Sequence, residues 1–140
     1  MKGTEKTDWT GKVTEMILDT SAWVEIFEGT EKSRYAVEVL RKNNCFTSIV
    51  TVAETAEWCA KKGLQHKTSD FIELIKTGSQ LLGLDESISR MAGELHKKRK
   101  KEGKKWGMID SIIVATAQAY GLKILTKDYA FRDLPDAQVL

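Results

Sequence analysis

Four acids set the question that this 140-residue chain poses: Asp19, Glu54, Asp110 and Asp128. Asp19 closes the short apolar run Met16-Ile17-Leu18, and the hydroxyls Thr20 and Ser21 follow it at once. Glu54 falls within the first two turns of a helix expected after Ser48, Asp110 stands at a helix entrance, and Asp128 follows Leu125-Thr126-Lys127. Placed together, these side chains form an all-oxygen pocket. Carboxylates crowded within several ångströms repel, so such a cluster makes chemical sense only around a divalent cation. No soft ligand accompanies them, which selects Mg²⁺ or Mn²⁺. An ion of this kind keeps several waters, binds a bridging phosphate oxygen and lowers the pKa of a water that attacks phosphorus in line, the chemistry of phosphodiester hydrolysis. Thr20, Ser21, Ser111 and Thr126 each adjoin one of the acids and are expected to orient the carboxylates or the water.

Every one of these residues also has a plainer reading. Asp110 suits the N-cap of the helix after it, whose dipole should also help to keep it ionised. Thr51-x-x-Glu54 has the form of a capping box, whereas Ser48 as the cap places Glu54 deeper in the helix and frees its side chain. Asp128 fits a turn acid after a strand, which is the reading given to Asp133 and Asp136. Asp19 is harder to set aside. A carboxylate that ends a strand buried on both faces must be solvated, paired or metal-bound, and no Arg or Lys adjoins it.

The basic run Lys97, Lys98, Arg99, Lys100 and Lys101, with Lys104 and Lys105 close behind, has two readings of equal standing. It is a solvated helix end favoured by the helix dipole, or a contact for a nucleic-acid backbone. His66 and His96 read as isolated and exposed. Trp23, Trp58 and Trp106 read as core or interface residues, with base stacking an alternative for Trp106 beside the basic run.

The elements that must position the acids follow from periodicity. Short apolar strands are expected at 16–19, 45–47, 80–84 and 122–125, with an edge strand at 137–140; helices are expected at 20–27, 32–41, 48–63, 67–77 and 109–120, and from Asp85 into the basic run. In the last helix the apolar or small residues Ile109, Ile112, Ile113, Thr116, Ala117 and Tyr120 define one core-facing stripe, and Gly121 terminates it. Strands alternating with helices predict right-handed crossovers and a parallel sheet covered on both faces, with ligands beyond the carboxyl ends of the strands, where Asp19 and Asp128 fall.

Composition agrees with one globular domain. Hydrophobic residues make up 41% of the chain, enough for a proper core, and a net charge of +2 says nothing about partners by itself. Cys45 and Cys59 belong to no Cys/His cluster and read as core residues of a reduced protein. With neither a membrane-length apolar run nor a signal segment, the expected location is the cytoplasm, with no membrane contact. Residues 1–15 read as a polar, partly disordered extension, with 16–140 as the domain.

Four segments carry a resemblance to a known family: Ile17-Leu18-Asp19-Thr20-Ser21-Ala22-Trp23, Ser48 to Glu54, Met108 to Ala117, and Leu125-Thr126-Lys127-Asp128 with Phe131. In order and context they resemble the PIN-domain ribonucleases, and among them the VapC-type toxins of prokaryotic toxin-antitoxin pairs. The resemblance implies a three-layer α/β/α fold on a parallel sheet of four to five strands, a tendency to homodimerise, Mg²⁺ or Mn²⁺ dependence and endonucleolytic cleavage of RNA. It further implies a cognate VapB-like antitoxin whose tail covers the acidic cleft. By motif, Asp19, Glu54, Asp110 and Asp128 match the family's acids and Thr126 its neighbouring hydroxyl. One position departs: where many relatives carry a further acid, two residues after the last, this chain has Ala130. That departure keeps a non-enzymatic RNA- or protein-binding module as the competing reading. A haloacid-dehalogenase-like phosphatase is excluded because its second acid is replaced by Ser21, and a receiver-like domain lacks its first-strand acid pair.

Overall fold

Short strands that are apolar on both sides can be buried only between two helical layers, and the strand segments of this chain satisfy that condition. The structure, a computed structural model, describes residues 14–103 and 105–140. Five parallel strands, β1 (Glu15–Leu18), β2 (Asn44–Ser48), β3 (Gln80–Leu82), β4 (Lys123–Thr126) and β5 (Ala137–Val139), lie in the order β3-β2-β1-β4-β5. The chain starts in the middle, builds outward through β2 to β3, then returns to place β4 on the other side of β1. The strand order therefore reverses between β1 and β4, and a crevice opens at their carboxyl ends.

Six helices cover the sheet: α1 (Thr20–Glu28), α2 (Ser33–Lys42), α3 (Ile49–Lys61), α4 (Thr68–Gly78), α5 (Glu86–Lys101) and α6 (Met108–Tyr120). Met16, Leu18 and Leu125 point to one face, where they meet Ala22 and Trp23 of α1, Ala36 and Val39 of α2 and Ile75 of α4. Ile17 and Ile124 point to the other and meet Ile113, Val114 and Ala117 of α6. This is the parallel sheet covered on both faces that the pattern implied, in the three-layer α/β/α form with five strands that the resemblance implied.

Two expectations about helices change. α6 was read as a one-stripe helix, yet residues 111–117 are all buried while Tyr120 is exposed. The reason is a second contact surface: Ile112 and Ala115 pack on Ile88 and Ala92 of α5 while the opposite side lies on the sheet. A helix between two layers has no polar face to show.

The basic run is the end of α5, and it is not uniform. Lys97, Lys98, Lys100 and Lys101 are exposed, as is Lys105, while Lys104 lies outside the described residues. Arg99 is 4% exposed. Its Nη1 donates to Asp133 Oδ2 at 2.5 Å, its Nη2 to Asp133 Oδ1 at 2.9 Å and to the Ala130 carbonyl at 3.2 Å, and its guanidinium lies 4.1 Å from the Trp106 ring centroid. Arg99 is thus removed from the candidate RNA contacts. Trp106 is buried too, against Phe131 at 5.1 Å between centroids, so it is a core residue and has no face for a base. Asp133, expected to be a plain turn acid, is the bidentate partner of a buried cation.

Removing one partner of a buried ion pair strands the other, a loss of about 3–5 kcal/mol when both are dry. Asp133 keeps 37% of its side chain exposed, so a smaller cost is expected. Arg99→Ala should lower the unfolding free energy by about 2–4 kcal/mol, while Lys98→Ala stays within about 0.5 kcal/mol of the parent. Urea denaturation decides this, and equal midpoints for the two variants would show that the Arg99 contacts hold nothing.

Candidate active site

Asp19 follows the last residue of β1 and begins α1. Its backbone is extended (φ −81°, ψ 175°), and its carboxylate caps the helix by accepting from the Ala22 N–H at 3.0 Å. Two hydroxyls complete its shell. Ser21 Oγ donates to Oδ1 at 2.7 Å and Thr126 Oγ1, at the end of β4, donates to Oδ2 at 2.5 Å. Asp19 is only 3% exposed. Burial drives its pKa from 3.8 up to about 6 against the pull of these three donors, and the charge of Asp110 adds to the rise.

Glu54 comes from α3. Ser48 is the N-cap, accepting from the Val50 N–H at 3.3 Å, so the capping-box reading of Thr51 and Glu54 does not hold. Glu54 is left free to cross to α1, where Thr20 Oγ1 donates to its Oε1 at 2.5 Å. Burial raises its pKa, opposed by the Thr20 bond and reinforced by Asp110.

Asp110 is the third residue of α6 and reaches back to the Gly107 N–H at 2.9 Å. It caps the helix from inside the first turn, not as the N-cap. The helix terminus does not keep its pKa low: burial raises it, outweighing the Gly107 bond, and Asp128 adds to the rise. Asp128, after β4, begins a single 3₁₀ turn, Tyr129–Phe131, and accepts from the Ala130 N–H at 2.9 Å. Thr126 Oγ1 in turn accepts from the Asp128 N–H at 2.9 Å, so one hydroxyl ties two of the acids.

All four acids line one cavity of about 390 Å³ at the β1/β4 crevice, together with Thr20 and Ser21. Their donor set is entirely oxygen, and three of the four carboxyls have raised pKa values, chiefly through burial, with the charge of a neighbouring carboxylate adding to each. In kind, this donor set fits a hard divalent ion. Among the described residues no three His, Cys, Asp or Glu side chains are drawn together tightly enough to form a metal-binding group. Each acid instead holds at least one oxygen on a hydroxyl or backbone N–H.

The expected supporting hydroxyls divide. Thr20, Ser21 and Thr126 hold carboxylates, whereas Ser111 is fully buried and its hydroxyl lies 3.1 Å from His96 Nδ1. His96 is therefore neither isolated nor fully exposed, and its electrostatic effect opposes the rise at Asp110. Among the described residues, the lysines of the basic run do not line the cavity. Instead Lys127 does, its ammonium paired with the buried Glu25 of α1. Lys127 directly precedes Asp128 and Glu25 stands one helical turn after Ser21. That placement was the available signal, but the pairing crosses about a hundred residues.

A parallel α/β/α sandwich with an all-carboxylate crevice at its switch point is an arrangement that suits a hard cation. The chain belongs to the PIN domain family, whose model matches residues 16–137. A curated relative, Ribonuclease VapC4 of Mycobacterium tuberculosis, is 26% identical over 130 residues, covering 91% of this chain and 97% of the relative. The fold is similar to that in the crystal structure of VapBC2 from Rickettsia felis bound to a promoter DNA fragment (TM-score 0.73, 16% identity, 91% of this chain and 98% of that one). It is also similar to Mycobacterium tuberculosis VapC20, described as a sarcin-ricin loop cleaving toxin (TM-score 0.67, 13% identity, 81% and 88%).

The sign of the Asp19 effect follows from its raised pKa. Between about pH 4 and pH 6 the folded state binds more protons here than the unfolded state, so stability falls as pH rises, and the full cost is present at neutral pH. The gap between 3.8 and about 6 corresponds to on the order of 3 kcal/mol. Asp19→Asn, melted in EDTA, should be more stable than the parent at pH 7 and should lose much of the slope between pH 4 and 6. Superimposable pH profiles for the two proteins would refute the buried-charge assignment.

Proposed function

We propose that this chain is a divalent-metal-dependent endoribonuclease, the toxin of a VapBC-type pair. The observation that carries this is the convergence of Asp19, Glu54, Asp110 and Asp128, from four separate elements, on one cavity of a PIN-family chain. The VapC names of its curated and structural relatives support the same reading. On this reading the four carboxylates hold Mg²⁺ or Mn²⁺, which when bound activates water and neutralises the phosphodiester. The protein's own part is positional. Ser21 and Thr126 fix both oxygens of Asp19, Thr20 fixes Glu54, and the Gly107 N–H fixes Asp110, so the charges are placed before substrate arrives.

The substrate is RNA, and the partner is a VapB-like antitoxin, in keeping with the toxin-antitoxin complexes that share the fold. The toxin works in the cytoplasm as a homodimer. Among the described residues no helix is long and apolar enough to cross a membrane.

Ala130 is the specific observation behind a second reading, a weakened PIN-like module that binds RNA or protein without cutting. Its N–H is taken by Asp128 and its carbonyl by Arg99, so the position serves the turn and supplies no fifth carboxylate.

Cleavage of RNA in Mg²⁺ should be lost on EDTA treatment and return with added metal. Asp110→Asn should lower the rate by more than about 100-fold, and Thr126→Val, which removes only the hydroxyl that holds Asp19, by about 10–100-fold. Cleavage that is indifferent to both EDTA and Asp110→Asn would leave the binding-module reading in possession.

A further inference from the structure

The same cavity has an aromatic wall that the chemistry of the acids does not use. Four residues of α3 line it at helical spacing: Glu54, Glu57, Trp58 and Lys61. Trp58 lies one turn beyond Glu54, about 6 Å along the helix axis, and Lys61 nearly one turn further. Trp58 is partly exposed, and its other contacts make it rigid. Its ring leans on Phe27 at 6.1 Å and Phe71 at 6.0 Å, which are themselves stacked at 4.4 Å and 17°, and Phe27 stacks on the core residue Trp23 at 6.0 Å. An aromatic stack thus runs from the core to the cavity and ends in an indole.

We propose that Trp58 is a base-stacking subsite for single-stranded RNA, seating a base beside the phosphate held at the acids, with Lys61 placed for the next phosphate. This rests on the nuclease reading and names how its substrate is gripped. Several features favour a nucleotide. The indole shares a cavity with the site for the phosphate, and a base lies within a few ångströms of its own phosphate. A flat aromatic platform flanked by cations is the recurring device for unpaired bases, and it tolerates any sequence. Lys61 and Lys127 line the same cavity as the acids. Glu57 stands in the stripe as well, but it pairs with Lys61 at 3.6 Å between side chains that are 65% and 72% exposed. Such a surface pair is weak, and a phosphate can take the lysine from it. The volume of about 390 Å³ falls within the range of about 300–1,000 Å³ typical of small-ligand sites.

The test is a cycle between protein and RNA. A fluorescein-labelled single-stranded 12-nucleotide RNA of mixed sequence is titrated by anisotropy, in Mg²⁺, against the cleavage-silenced Asp110→Asn protein. An abasic nucleotide is then walked through the RNA. One position should cost about tenfold in affinity, within the range of about 1–3 kcal/mol for a stacked base. Trp58→Leu in the same background should lose about tenfold with intact RNA and be indifferent to the abasic substitution at that position, whereas Trp58→Phe keeps most of both effects. Thermal melts verify folding, and should Trp58→Leu unfold, the abasic walk with Trp58→Phe and the parent decides alone. An abasic walk with no sensitive position overturns the subsite, as does Trp58→Leu binding like the parent. Cleavage of the same RNA by the unmutated chain is measured alongside. Cleavage with a flat cycle overturns the subsite and leaves the nuclease reading intact, while no cleavage overturns that reading and the subsite with it.

Discussion

The structure turns on a carboxylate that burial works to neutralise. Asp19 ends a central strand, is almost fully buried and has three hydrogen-bond donors, yet its pKa still rises to about 6. A site that served only stability would carry a different residue, because an apolar or amide side chain would avoid the desolvation cost. What surrounds Asp19 also holds the crevice together. Ser21 belongs to α1, Thr126 to β4, and the Asp19 N–H itself donates to the Leu125 carbonyl at 3.1 Å. The end of β1 is thereby fixed to the end of β4 where the strand order reverses, and Asp128 is two residues from the hydroxyl that Asp19 accepts from. Such destabilised, over-determined positions are where a fold gives up stability for a site.

A second anchor lies behind Asp110 and Asp128. Arg99 binds Asp133 and the Ala130 carbonyl in the segment just after Asp128, and it covers Trp106 just before the helix that carries Asp110. Trp106 in turn meets Phe131. One buried guanidinium therefore links the end of α5, the approach to α6 and the turn after β4. Its cost of burial is offset by a bidentate carboxylate and a flat aromatic face, the two partners that suit arginine better than lysine.

This contrast explains what was legible in the sequence. Asp19 could be read locally, because a strand, an acid, two hydroxyls and a helix follow one another without a gap, whereas Glu54 stayed open between a capping box and a free side chain until Ser48 proved to cap α3. Strand alternation gave the parallel sheet and its two covered faces. Arg99 was not legible: inside Lys97 to Lys101 nothing distinguishes it, and its partner lies 34 residues away. The same holds for His96 with Ser111 and for Lys127 with Glu25, pairs made by the fold and not by neighbourhood. α6 was misread as one-faced because periodicity reports the strongest stripe, while burial by a second helix depends on where α5 lands. Asp110 combined two readings that the sequence had set against each other, since the carboxylate that caps α6 from its first turn also lines the cavity.

The electrostatics of the cavity bear on how the proposed substrate is admitted. Six carboxylates line it, Asp19, Glu25, Glu54, Glu57, Asp110 and Asp128, against the two lysines Lys61 and Lys127. Each lysine is already paired, with Glu57 and Glu25 respectively. The crevice itself therefore repels a polyanion, while the exposed Lys97, Lys98, Lys100 and Lys101 make a local cationic field outside it. The exposed lysines at the end of α5 contribute to that exterior field without lining the cavity. A divalent cation would then have two separable effects on the proposed reaction, reversing the local field so that a phosphodiester can enter and activating the water once it is there. The first does not depend on the second. A variant that removes one carboxylate moves these effects in opposite directions, easing the approach of RNA while weakening the grip on the ion. Affinity and turnover need not fall together at this site, and a loss of cleavage with retained or tighter RNA binding is the pattern its charge distribution dictates.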